Sequence, residues 1–408
     1  MGRPGILASS VVALSLLGAC ALHPPPLAAA EQPREPARVV NVLADATAGQ
    51  DQRFAGAFQE VESWIGKKAF PGAALAIGQH GNLVALKSFG KMNYSKHAHA
   101  MRRDAIFDLA SLTKVIGTTT AAAMLYDRKQ LDLDAPVIQY IPEFAGVESH
   151  ETIRVRHLLS HSSGLNSGQV LWKQASDRMG IMKLVYALPL EWMPGEKTQY
   201  RDYNMIVMGE IVYRITGQRL DEFLAHNAFG PLGMKHTRYN PPAKWIGRIA
   251  PTEQDDALRH RIVHGVVHDE NAFLMGGVSG HAGLFSSARD LSAIAQMWLN
   301  GGTYKRKRIL SEATVHLFME RQLLPAHTTR ALGWDTPAGG SFPGALASPT
   351  AIIHTGFTGT SIYIDPKRDA FIILLTNRVH PTRQNLLIDQ ARPAINTAIL
   401  SILDRERP

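Results

Sequence analysis

Two stretches near opposite ends of the 408-residue chain carry the same strand-turn-strand signal, and the long section between them carries a different one. Ala73 to Ile77 and Leu83 to Phe89, joined across His80-Gly81-Asn82, read as a β-hairpin. Ser361 to Asp365 and Phe371 to Thr376 repeat the pattern across the turn residues Pro366-Lys367-Arg368-Asp369. Helical patterns dominate between them, as in Val115 to Tyr126, Val207 to Ile215 and Leu291 to Leu299. The arrangement predicts an α/β fold of the α+β kind. One antiparallel sheet is built from both chain ends (70–90 and 350–377) and flanked by helices, with a mostly helical region (115–345) inserted between the hairpins. A cleft at their junction is the natural place for a site. Phe54, Phe58, Val61 and Ile65 recur at the spacing of one helix face ahead of the sheet, and Leu386, Leu387, Ile395, Ile399, Ile402 and Leu403 suggest closing helices after it.

At the N-terminus, Arg3 and the apolar stretch from Ile6 to Leu17 have the form of a signal peptide and are too short to span a membrane. The next residues, Leu17-Gly18-Ala19-Cys20, are similar to a bacterial lipobox, whose cysteine becomes the lipidated first residue of the mature protein. Cys20 is the only cysteine, which fits a thiol kept for acylation and excludes an intramolecular disulfide. The reading is a lipoprotein-type signal over 1–19, a Pro/Ala-rich tether over 20–52 and one folded domain over 53–408. The protein is then exported, periplasmic and held at the membrane through a lipid on Cys20. Cleavage after Ala28-Ala29-Ala30, giving a soluble secreted protein, is the competing reading. The net charge of +8 arises from 43 basic and 35 acidic residues spread without clustering, which argues against nucleic acid as a partner.

The first candidate for chemistry is Ser111-Leu112-Thr113-Lys114 at the head of a helical run. A spacing of three puts Ser111 and Lys114 on one helix face. A serine hydroxyl is a poor nucleophile at neutral pH, and a lysine whose pKa is lowered by burial or by cationic neighbours can activate it. At the helix start, the positive end of the dipole also favours an oxyanion. The spacing alone is expected about once by chance in a chain of this length, so the surroundings have to carry the assignment.

Those surroundings resemble the serine β-lactamase and penicillin-binding-protein superfamily, particularly its class C and D-alanyl-D-alanine peptidase side. Arg156-His157-Leu158-Leu159-Ser160-His161-Ser162-Ser163-Gly164-Leu165 is similar to the family's H-L-L-x-H-x-S-G-L segment, and Pro194-Gly195-Glu196 to the P-G run before its second motif. That second motif, Y-x-N, aligns with Tyr200-Arg201-Asp202, which implies that the Tyr200 phenol shares proton traffic with Lys114, its pKa lowered by cationic charge. Asp202 departs from the family's Asn: an ionised carboxylate only accepts hydrogen bonds. The third motif aligns with His354-Thr355-Gly356 on an edge strand, with Gly356 letting substrate approach the backbone. By the same match the N–H groups of Ser111 and Phe357 form the oxyanion hole. His354, with a reference pKa near 6.5, is expected to be partly cationic, so that carboxylate recognition weakens as pH rises.

The stretch from His268-Asp269-Glu270-Asn271-Ala272 to Gly276-Gly277-Val278-Ser279-Gly280-His281-Ala282-Gly283-Leu284-Phe285-Ser286 resembles penicillin-binding protein 4B-type D-alanyl-D-alanine carboxypeptidases. Its glycines lack the Gly-Lys-Ser/Thr of a phosphate loop. His264, His268 and Asp269 nominally offer metal ligands, but Gly265 weakens a helical pair, and the resemblance implies neither metal nor cofactor. It implies instead a serine hydrolase acting through an acyl-enzyme on a peptidoglycan stem peptide. A small ester or a β-lactam is the alternative substrate, as for an esterase or weak β-lactamase. A catalytically silent cell-wall-peptide binding module is the remaining alternative.

Overall fold

The computed structural model describes residues 1–2, 42–166, 168–337 and 342–406. The signal segment, Cys20 and most of the expected tether therefore lie outside the described residues. The chain divides into Met1–Ala37 and Arg38–Pro408, and the second unit holds the fold.

Its centre is a six-stranded sheet. β1 (Ala44–Asp45) lies outside β3 (Asn82–Gly90), which pairs with β2 (Gly72–Gln79); β6 (Ala370–Thr376), β5 (Ser361–Asp365) and β4 (Ile352–Thr355) follow in that order. The two hairpins meet through β2 and β6, antiparallel, with Ile77 opposite Ile372 and Leu75 opposite Leu374. A lone hairpin is marginal in water, so joining the chain ends is what stabilises both. The central strands read as continuous apolar runs because both of their faces are covered. Phe371, Ile373 and Leu375 point into the core shared with the helical region. Ala370, Ile372 and Leu374 face α1 (Ala55–Gly66) and α5 (Ile388–Arg405), packing with Phe58, Val61, Ile395 and Ile399. A one-residue slip would exchange the two faces, which pins the register. At Gly78 a Cβ would fall 2.1 Å from the ring of Phe371 across the strand pair, so this position takes only glycine.

Three features differ from the sequence expectation. The tether does not run to residue 52: β1 hydrogen-bonds the outer edge of β3 (Ala44 N to Gly81 O, 3.2 Å; Ala46 N to Leu83 O, 3.0 Å), and a short helix, Gln50–Arg53, follows. Two residues show no periodicity, but they cover an edge that would otherwise present unpaired backbone groups. The closing segment is one helix, α5, not several. The inserted region contains a second, three-stranded sheet in which Leu284–Ser286 lies between Phe107–Asp108 and Arg238–Tyr239. Its helices include α2 (Thr120–Asp127), α3 (Asp202–Thr216) and α4 (Ala288–Leu299), and α2 is preceded by a π-helical turn, Lys114–Thr119. Among the described residues no helix is long and apolar enough to cross a membrane.

Candidate active site

The site forms where the small sheet, the start of α3 and the end of edge strand β4 converge on the turn that carries Ser111. That turn is held from three directions. Asp108 accepts the Ala110 N–H at 2.8 Å and the His268 N–H at 2.6 Å, while Leu109 donates its N–H to Leu284 O at 2.9 Å. Ala110 sits at φ 44°, a left-handed conformation that a residue with a Cβ adopts only when its neighbours over-determine it. Ser111 follows and opens the helical turn through Lys114 N to Ser111 O at 3.0 Å.

Lys114 and Tyr200 meet at the Ser111 hydroxyl. The Lys114 Nζ and the Tyr200 hydroxyl each lie 2.8 Å from Ser111 Oγ. Lys114 is fully buried, and its ammonium also reaches Asp202 Oδ1 at 2.7 Å and the main-chain oxygen of His281 at 3.0 Å. Three protons thus meet three acceptors. Burial alone would lower the Lys114 pKa, but Asp202, with Tyr200 adding to it, carries it above the ordinary lysine value. Desolvation where its hydroxyl meets the other two pushes Tyr200 upward, and Lys114 offsets this only in part. The lowered values expected from sequence are therefore corrected. The expectation weighed burial and cationic charge and left out the anion, which stands in contact with the lysine.

Tyr200 is carried to Ser111 by the loop ahead of α3. Gln199 N donates to His161 O at 2.9 Å and Arg201 N to His161 Nδ1 at 3.2 Å, and the His161 ring packs 4.7 Å from that of Tyr200. Asn204 Nδ2 also reaches His161 Nδ1, at 3.2 Å. The H-x-S-G-L segment thus serves as the brace for Tyr200, a role the motif does not announce. Two acceptor contacts at Nδ1 place the His161 proton on Nε2.

His354 is the penultimate residue of β4, 5% exposed, with Nδ1 2.8 Å from Thr355 O. Burial, then the charges of Lys114 and Arg330, hold it well below the ordinary histidine value. His354 is neutral, not partly cationic, which overturns the expected pH-dependent carboxylate contact; the sequence showed neither its burial nor the two cations. The missed cation is Arg330. Its guanidinium lies 5.4 Å from the Tyr200 ring centre and 3.4 Å from Asp335, on a loop with no local motif to signal it.

Gly356 is required by the turn itself. A Cβ there would stand 2.4 Å from Leu109 O and 2.1 Å from Thr360 Oγ1, so the close approach is to the turn that carries Ser111. Thr360 Oγ1 donates to Leu109 O at 3.0 Å and Thr358 Oγ1 to Asp108 O at 2.7 Å, which fastens the segment after Thr355 to the Ser111 turn. Phe357 follows, with its ring 5.7 Å from His268 and 4.3 Å from the Arg378 guanidinium. Among the described residues neither the Ser111 nor the Phe357 N–H donates to a protein acceptor. Both N–H groups are thus free to meet an acceptor, as the donors of an oxyanion hole must be.

The nominal metal residues are dispersed into other contacts. His264 Nε2 meets Ile249 O, His268 Nε2 meets Glu253, and Asp269 meets His281, each at 2.8 Å. Among the described residues no three His, Cys, Asp or Glu side chains gather as a metal site.

A sheet assembled from both chain ends, with a serine that touches a lysine and a tyrosine at its edge, defines a class of serine hydrolase. The chain belongs to the Beta-lactamase family, whose pattern matches residues 46–395. The protein named "Putative D-alanyl-D-alanine carboxypeptidase" of Escherichia coli K12 is 32% identical over 358 residues, covering 79% of this chain and 82% of the relative. Its Salmonella schwarzengrund namesake is 33% identical over 362 residues, covering 78% and 82%. Among solved structures, a class C β-lactamase superposes with a TM-score of 0.69 at 17% identity, covering 86% of this chain and 99% of that one. A penicillin-binding-protein homologue from Caulobacter crescentus gives 0.68 at 19% identity, covering 86% and 97%.

Proposed function

We propose that the protein is a serine D-alanyl-D-alanine carboxypeptidase that works through an acyl-enzyme on Ser111. The observation that carries this reading is the pair of 2.8 Å contacts from Lys114 Nζ and Tyr200 OH to one Ser111 Oγ. The names of the relatives above supply the substrate class.

In the resting site Lys114 and Tyr200 hold all their protons, so the reactive form has one proton fewer, shared by the coupled pair. The pair takes the Ser111 proton as Oγ bonds to the carbonyl carbon, and the developing oxyanion meets the Ser111 and Phe357 N–H groups. As the C–N bond breaks, the pair passes that proton to the departing amine. Water then repeats the sequence in reverse and frees the acyl group. Arg330 supplies the cation that a substrate's terminal carboxylate calls for, a task that neutral His354 leaves open. Asp202 offers substrate only an acceptor, so an amide N–H, not a carbonyl, is the group that fits it.

Export and a lipid on Cys20 belong to the same reading, resting on the Ile6 to Leu17 stretch and Leu17-Gly18-Ala19-Cys20. Cys20→Ser then moves the protein from the detergent to the aqueous phase on partitioning. For the activity, kcat/KM compared on a D-Ala-D-Ala peptide, a cephalosporin and a p-nitrophenyl ester tests the substrate class. The peptide is expected to lead, and Ser111→Ala to abolish turnover. Preference for the ester, with the peptide untouched, would make the protein an esterase.

A further inference from the structure

His281 is buried beside the catalytic cluster, and the proton transfers just described make no use of its ring. Its Nε2 lies 2.8 Å from Asp269 Oδ1, and its Nδ1 lies 2.8 Å from Ser279 Oγ. Asp269 Oδ1 also accepts the Ala272 N–H at 2.7 Å, so it is anchored at the start of the helix Glu270–Leu274. This chain of serine, histidine and aspartate has the make-up of a nucleophilic centre. Ser279 is 2% exposed, however, and offers no surface to a substrate.

What the ring does follow is its own backbone. The His281 main-chain oxygen is the third acceptor of the Lys114 ammonium, at 3.0 Å. The residues around it run along the nucleophile turn: Thr118 Oγ1 donates to Gly280 O at 2.6 Å, and Leu284 N to Thr113 Oγ1 at 3.1 Å. Gly276, Gly277, Gly280 and Gly283 leave this stretch little side chain with which to hold itself. Gly280 is further obliged by contact with α3, where a Cβ would stand 1.8 Å from Met205 O. A glycine-rich backbone is free to swing, and a carbonyl that aims a catalytic lysine cannot be allowed to. The His281 ring is the anchor that the glycines lack.

We propose that His281, clamped between Asp269 and Ser279, is a positioning residue for the catalytic cluster: the clamp aims the His281 carbonyl at Lys114 and so holds the ammonium on Ser111. The inference rests on the reading of Ser111 as nucleophile and Lys114 as proton carrier.

Pre-steady-state release of p-nitrophenol from p-nitrophenyl acetate reads the acylation rate directly. Gln places an amide nitrogen where His has Nε2, so His281→Gln keeps the bond to Asp269; His281→Ala keeps neither clamp bond. His281→Ala and Asp269→Ala are expected to slow acylation about 10- to 100-fold, with the ester concentration that half-saturates the acylation rate within about twofold of wild type, and His281→Gln to stay within about threefold of wild type. A folded His281→Ala that acylates at the wild-type rate would overturn the clamp, and so would a folded His281→Gln as slow as His281→Ala. Should His281→Ala fail to fold, His281→Gln set against Asp269→Ala decides by the same rates. A Ser111→Ala protein that releases p-nitrophenol as fast as wild type removes the acyl-enzyme reading itself, whereas an inactive Ser111→Ala with unchanged clamp variants removes only the clamp.

Discussion

Lys114 and Asp202 form a 2.7 Å ion pair in which the ammonium is fully buried and the carboxylate side chain keeps 41% of its surface open to the cleft. Tyr200, 38% exposed, stands beside them with its hydroxyl on Ser111. The pair makes the resting site a proton-rich one, and the pH behaviour of the protein follows from that.

Asp202 raises the pKa of both Lys114 and Tyr200, so removing its charge lowers both. The proton-poor form that accepts the Ser111 proton gains population as pH rises. In Asp202→Asn it gains population earlier. The acid limb of the pH profile of kcat/KM is expected to move down by about 1 to 3 pH units, the usual effect of one adjacent opposite charge. Profiles recorded on one ester substrate for both proteins check this; an unmoved limb would mean that neither group sets it.

Tyr200→Phe keeps the ring packed between His161 and His354 and removes only the hydroxyl. Acylation is expected to fall about 10²- to 10⁴-fold, the usual worth of a positioned proton-transfer group, with the thermal midpoint unchanged. Single-turnover rates and a melting curve on the same sample separate the two effects.

His161 and His354 are buried and held well below the ordinary histidine value, first by burial and then by nearby cations. In the unfolded chain both titrate near pH 6.5. Below that pH the unfolded state binds protons that the folded state refuses. The stability they contribute is complete above pH 6.5 and is lost as pH falls, at roughly 1.4 kcal/mol per pH unit for each proton. Urea midpoints at pH 7 and pH 5 are expected to show this, with His161→Asn flattening the dependence while still accepting the Arg201 N–H.

Gly280→Ala places a methyl group against the Met205 carbonyl in the body of α3, where no flexible side chain can yield. Destabilisation of about 1 to 3 kcal/mol is expected, as for other overpacked sites, and urea unfolding measures it.

How much of this could be read from sequence depended on distance along the chain. The hairpins, α1, α3 and α4 announce themselves because a strand or helix of several turns imposes its period on consecutive residues. β1, with two residues, and the three-stranded sheet that brings Leu284 to Leu109 have no period to show. Ser111, Lys114 and Tyr200 were legible because motifs preserve residue types in order, and the fold brings all three within hydrogen-bonding reach. Their proton balance was not, since it depends on Asp202 making contact with Lys114. His354 looked like a cation because its burial is tertiary, and Arg330 arrives from a loop without any motif. Gly356 was assigned to substrate, yet its tightest neighbours are Leu109 and Thr360.

The central claim is that Ser111 carries the acyl group. Intact-protein mass spectrometry after incubation with a penicillin tests it most directly. The account expects a gain of one penicillin mass, located by peptide mapping on Ser111 and absent from Ser111→Ala. A protein that hydrolyses a D-Ala-D-Ala peptide without ever gaining that mass, or one that gains it equally in Ser111→Ala, would contradict it.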